Sequence, residues 1–136
     1  MKRIKFTDIT LREAARGLEG ALSFKMAKIL DKLNLDVISL APITNVKIDS
    51  LLVRTVAAAV KKSTLSIPVG STEAGVDTAW SAIAEAAHPR LYVEAPLSAV
   101  QMEFVCNKKP EGIIEMIGKL VRKSREYCAD VEFAAV

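Results

Sequence analysis

Short apolar, β-branched runs recur along the chain, each followed by a longer stretch of helical spacing. The runs are "RIKFTDIT" at 3–10, "LDVISLAP" at 35–42, "TLSIPVG" at 64–70, "RLYVEAP" at 90–96 and "DVEFAAV" at 130–136. Their length and residue types predict strands. Between the first two, Met26, Ile29, Leu30 and Leu33 form one face of a helix, with Ser23 placed as its N-cap. Ile48, Leu51, Leu52, Val56 and Val60 line up in the next interval, and Trp80, Ile83, Ala84 and Ala87 in the one after. In the last, Pro110 suits a first helical turn, and Ile113, Ile117, Leu120 and Val121 make the stripe.

Five strands alternating with four helices predict an α/β fold of parallel strands joined by right-handed crossovers. No linker, low-complexity segment or second domain interrupts residues 1–136, which are expected to form a single domain. Two architectures use such units. One is the TIM (β/α)8 barrel, of which this chain would be a little over half. The other is an open, doubly wound, flavodoxin-like sheet of five strands. Both place ligands at the carboxyl ends of the strands. The residues to examine are therefore Asp8 to Glu13, Ala41 to Thr44, Gly70 to Glu73, Pro96 to Ser98 and those after Phe133.

Composition narrows the class without deciding it. Of 136 residues, 51% are hydrophobic, 26% charged and 5% aromatic, as in layered α/β proteins. The 19 basic residues against 16 acidic ones leave a charge of +3, too small and too scattered for a nucleic-acid surface. Lys61 and Lys62, and the group Lys119, Arg122, Lys123 and Arg125, fit solvated outer helix faces. No apolar run approaches the ~20 residues of a membrane span, and "MKRIKFTD" lacks a signal peptide's apolar segment. A cytoplasmic protein without membrane or nucleic-acid partners is expected. Cys106 and Cys128 match no metal spacing and are expected to be free thiols.

The first strand ends in the densest polar cluster: Asp8, Thr10, Arg12 and Glu13. An aspartate at a strand end is a hard oxygen ligand suited to Mg²⁺ or Mn²⁺. An arginine four residues later can clamp a carboxylate or steady an enolate. A salt-bridged, capped turn before a helix accounts for the same residues. "PVGSTEAG" at 68–75 could cradle a phosphate on its backbone amides, or could be a tight strand-to-helix loop. His88, the one histidine, falls before the fourth strand and so on the rim opposite the strand ends. Ser98 and Gln101 follow that strand within reach of a ligand, and Trp80 belongs to a core stripe.

The segment "DITLREAARG" resembles the D-x-T-L-R-[DE]-G-x-Q signature of the DRE-TIM metallolyases, in the isopropylmalate and homocitrate synthase branch. "SFKMAKILDKLNLDVISLAP", "EAPLSAVQMEF" and "KSREYCADVEFAAV" are similar to that family's first helix and second strand, its fourth strand and its fifth strand. The resemblance implies the barrel. It also implies an acyltransferase of amino-acid biosynthesis, leucine biosynthesis included, which condenses acetyl-CoA with a 2-oxo acid on a divalent metal, Mg or Mn. Residue by residue, Asp8 matches the metal ligand. Arg12 matches the arginine that binds the 2-oxo acid and its enolate partner, with Glu13 as the acidic neighbour. Thr10 and Ser98 would touch substrate.

Several positions depart from that pattern. Ala14 stands for its glycine, Arg16 for its glutamine, Gly70 for an arginine after the third strand and Ser98 for a histidine after the fourth. Val136 falls where an acidic residue is expected, and no H-x-H metal pair occurs. A truncated half-barrel, inactive alone and weak or empty in metal, is therefore one expectation. A non-catalytic binding module is the other. Either would leave the first and fifth strand edges unpaired, so a homodimer or higher homo-oligomer is expected.

Overall fold

The computed structural model describes residues 3–14, 23–104, 106–107 and 109–136. Strands β1 (Thr7–Asp8), β2 (Val37–Ser39), β3 (Thr64–Pro68), β4 (Pro89–Ala95) and β5 (Val131–Ala135) appear where the apolar runs place them. Helices α1 (Thr10–Ala14), α2 (Ser23–Lys32), α3 (Val46–Ala59), α4 (Glu73–Ile83), α5 (Ala99–Phe104) and α6 (Pro110–Tyr127) alternate with them. Six helices are described rather than the expected four. The additions, α1 and α5, are single short pieces at the carboxyl ends of β1 and β4, too short for a periodic stripe to show.

Every strand pair is parallel and the sheet order is β1-β2-β3-β4-β5. A flavodoxin-like sheet would put β1 between β2 and β3. Here β2 pairs β3 directly, with Val37, Ile38 and Ser39 opposite Thr64, Leu65 and Ser66. The strands curl as a partial TIM barrel, and the open-sheet alternative is set aside.

Crossovers of one hand that always advance the same way put the long crossover helices on one face. That face holds the core. Leu65 and Ile67 of β3 and Leu91 and Val93 of β4 are buried there against Val53, Val56 and Ala57 of α3 and Val76, Ala79 and Ile83 of α4. On the opposite face the register aligns Ser66 with Arg90, Pro68 with Tyr92, Tyr92 with Glu132 and Glu94 with Ala134.

The helical stripes are shifted from those the sequence suggests. Ile29 and Leu33 are exposed, while Ala27 and Leu30 are buried and Met26 packs against the core. Ile48 and Leu51 are each 67% exposed, and α3 turns Ser50, Val53, Val56 and Ala57 inward. On α4 the buried residues are Val76, Ala79, Ala82 and Ile83, with Ala84 and Ala87 outside. Small side chains let a helix sit close on a sheet, so alanines carry much of the contact. Trp80 is half-buried, stacked on Tyr127 of α6 with ring centroids 5.8 Å apart. On α6, Ile113 and Leu120 are buried, Ile117 and Val121 partly so. The side chain of Ser23, expected as a cap, lies outside the described residues.

One carboxylate ties three elements together. Asp31, in the last turn of α2, accepts hydrogen bonds from the backbone N–H groups of Lys61 (3.0 Å), Lys62 (3.0 Å) and Ser63 (2.8 Å), the turn that joins α3 to β3. Burial pushes the Asp31 carboxyl up, but those three donors outweigh it and its pKa lies below the ordinary value. Asp31→Ala should cost about 2–3 kcal/mol in urea unfolding, because buried N–H donors lose a charged acceptor. A depressed folded pKa stabilises fully above the unfolded carboxylate value near 4, and that stability is lost as pH falls through the folded pKa. The wild type should therefore lose more stability than Asp31→Ala between about pH 5 and pH 2. Parallel pH–stability curves would contradict this role.

Candidate functional site

Asp8 ends β1, and both its oxygens are engaged by the residue that opens α1. Oδ1 accepts the Thr10 N–H at 2.9 Å and Oδ2 the Thr10 hydroxyl at 3.1 Å. This is the capped turn that the sequence allowed, and an aspartate is a favoured residue for it. α1 then carries Arg12 one turn onward, toward β4. There Arg12 Nη2 donates to Glu94 Oε2 at 2.9 Å, and its Cζ lies 5.4 Å from the centre of the Tyr92 ring. Tyr92 and Glu94 are alternate residues of β4 and share the face turned away from the long helices. The hydrogen bond to Glu94 leads the causes that raise the Arg12 pKa, so the guanidinium stays charged. Its side chain is only 20% exposed.

The remaining expected residues stand around this pair. Thr10 and Glu13 are exposed on α1. Ser98 belongs to the turn after β4, where its hydroxyl donates to Gln101 Oε1 at 2.9 Å and accepts the Gln101 N–H at 3.2 Å. It thereby caps α5. The structure thus brings Asp8, Thr10 and Arg12 onto one turn and Arg12 onto β4, while Ser98 occupies the neighbouring rim segment. Arg16 lies outside the described residues. Glu94 and Tyr92 were not singled out from sequence. The signal was present, because strand alternation through "RLYVEAP" puts 90, 92 and 94 on one face. Toward the amino ends of the strands on that face, Arg90 of β4 pairs with Asp130 (2.9 Å), just before β5, and with Glu132 of β5 (2.8 Å).

The loop at 68–75 proves to be built for its own turn. Gly70 has φ +73°, a conformation that favours glycine, and Thr72 Oγ1 caps α4 by accepting the Gly75 N–H at 3.1 Å. A Cβ on Gly75 would lie 2.2 Å from the Val69 carbonyl oxygen, so α4 starts closer to β3 than another residue permits. His88 is on the opposite rim, as expected, beside a cleft of about 380 Å³ lined by Arg3, Lys5, Asp36 and Lys62. Cys106 and Cys128 are free. Among the described residues, no three His, Cys, Asp or Glu side chains gather as metal ligands. Asp8 alone does not make a divalent-cation site.

Comparison with known proteins places this arrangement. The sequence model of the HMGL-like family matches residues 3–136. The chain belongs to the HMGL-like family. The 2-isopropylmalate synthase of Nitratidesulfovibrio vulgaris is 28% identical over 137 residues, which cover 98% of this chain and 27% of that protein. The corresponding enzyme of Carboxydothermus hydrogenoformans is 29% identical, with 99% and 27% covered. That of Neisseria meningitidis serogroup A is 29% identical, with 97% and 26% covered. This HMGL-like chain therefore spans about a quarter of the length of the curated relatives it matches. No described helix is long and apolar enough to cross a membrane.

Gly75→Ala should destabilise the fold by about 2–3 kcal/mol in denaturant unfolding, because backbone rather than a flexible side chain must move. Gly70→Ala meets open space and should cost only about 1–2 kcal/mol, from its positive φ. The reverse order would contradict the close approach of α4.

Proposed function

We propose that the chain carries part of the substrate-binding rim of an acetyl-CoA:2-oxo acid condensing enzyme of the isopropylmalate synthase kind. The observation that supports it best is the Asp8–Arg12 turn, set at the carboxyl end of β1 in a partial barrel of the HMGL-like family. In such a condensation a base takes a proton from the acetyl methyl group. The resulting enolate forms a C–C bond to the keto carbon, whose oxygen gains the negative charge, and water then releases CoA from the thioester. Arg12 would bind the 2-oxo acid carboxylate and offset the developing oxyanion. Thr10 and Ser98 would hydrogen-bond the substrate, and Glu13 would serve beside Arg12. Asp8 would be the protein's share of a divalent metal site. Among the described residues no three His, Cys, Asp or Glu side chains gather as ligands, so no step is routed through the metal.

With pyruvate and Mn²⁺ together at about tenfold their Kd, the melting temperature should rise by about 4 °C. Asp8→Asn and Arg12→Gln should each abolish that rise in a thermal scan. An equal rise in both variants would remove these residues from the site.

A second reading, association with another copy of the chain, is favoured by the sheet edges. Ile4, Phe6 and Ile9 around β1 are 75%, 65% and 53% exposed, and Phe133 and Val136 at β5 are 44% and 54% exposed. Apolar edges with unpaired backbone groups favour pairing with a further strand. Light scattering behind a sizing column should give at least twice 14.7 kDa, and a single-chain mass in dilute solution would rule this out.

A further inference from the structure

We propose that Glu94 is an internal competitor for the anion position on Arg12, so that a 2-oxo acid binds there only by displacing it. This rests on the reading of Arg12 as the carboxylate-binding arginine. The geometry carries the rest. A guanidinium presents five N–H donors in a planar fork that grips a carboxylate with two parallel bonds. Among the described residues, the Glu94 carboxylate engages that fork through one hydrogen bond, Nη2 to Oε2 at 2.9 Å. The pair is unequally placed: the Arg12 side chain is largely buried, whereas that of Glu94 is 37% exposed. A monodentate contact open to water is weak. An incoming carboxylate that takes the fork in bidentate fashion replaces it and leaves Glu94 a route to solvent.

Tyr92 completes the device. Its ring lies 5.4 Å from Arg12 Cζ, on the same strand face as Glu94. That cation–π contact does not depend on the carboxylate, so Arg12 keeps a fixed seat when Glu94 swings away. Glu94 therefore fills the empty site with a tethered anion, preserves the charge and position of Arg12, and sets a threshold of affinity. A neutral ligand, unable to replace a carboxylate, is excluded. The residue acts on affinity and selectivity for small carboxylates, through Arg12.

The test is a titration of the 136-residue chain with pyruvate at low salt, followed by NMR, for wild type, Glu94→Gln, Arg12→Gln and the double variant. Removing the competitor should tighten pyruvate binding about threefold to tenfold in Glu94→Gln. Arg12→Gln and the double variant should lose it. In wild type the Glu94 side-chain carboxyl ¹³C signal should move in step with pyruvate occupancy, a readout that needs no substitution. If Glu94→Gln binds pyruvate no more tightly than wild type, or the Glu94 signal stays still while Arg12-dependent binding occurs, the competitor role is overturned and Arg12 keeps its own. If Arg12→Gln binds as wild type does, or no variant binds, the reading of Arg12 falls and this proposal with it.

Discussion

The strict sequential order of five parallel strands constrains everything else in this molecule. Because each crossover advances the sheet the same way, one face receives the long crossover helices among the described residues, and the alternate strand residues face the other way. The first becomes a dry core of Leu65, Ile67, Leu91 and Val93 under α3 and α4. The second inherits the alternate residues of the same strands, which those helices do not cover. That these are Ser66, Arg90, Tyr92, Glu94 and Glu132 follows from the pleat.

Charges on such a face need partners. Arg90 is held by Asp130 and Glu132, so β4 and β5 are joined by ion pairs as well as by their ladder. Arg12 reaches the same face from α1 and meets Glu94. The two arginines differ in kind. Arg90 spans neighbouring strands at their amino ends and serves as a brace. Arg12 comes from a five-residue helix at the rim, touches one carboxylate oxygen and rests on an aromatic ring. Only the second stands at the carboxyl end of a strand, where the proposed function puts a carboxylate substrate.

Much of this was legible in the sequence. The strands are apolar, β-branched runs of high contrast, and their rhythm alone gave a parallel α/β fold. The choice between barrel and open sheet was not in that rhythm, because both use identical βα units and differ only in which strand sits beside which. The helix faces were misread where alanine, not leucine or isoleucine, makes the contact: Ala27, Ala57, Ala79 and Ala82 are buried while Ile29, Leu33, Ile48 and Leu51 are not. Hydrophobic size points to a stripe only when the packing is loose enough to need size. The Asp8–Arg12 turn was legible from chemistry at a strand end. Its partner Glu94 was hidden by its distance of 82 residues along the chain. Only the fold makes them neighbours.

The most direct test of the account is the strand order, read from backbone NOEs in a ¹⁵N,¹³C-labelled sample. A partial barrel requires contacts across β2 and β3, between Ile38 and Leu65 and between Ser39 and Ser66. Contacts between β1 and β3 in their place would mean a doubly wound sheet with helices on both faces, and would contradict the half-barrel on which the site depends.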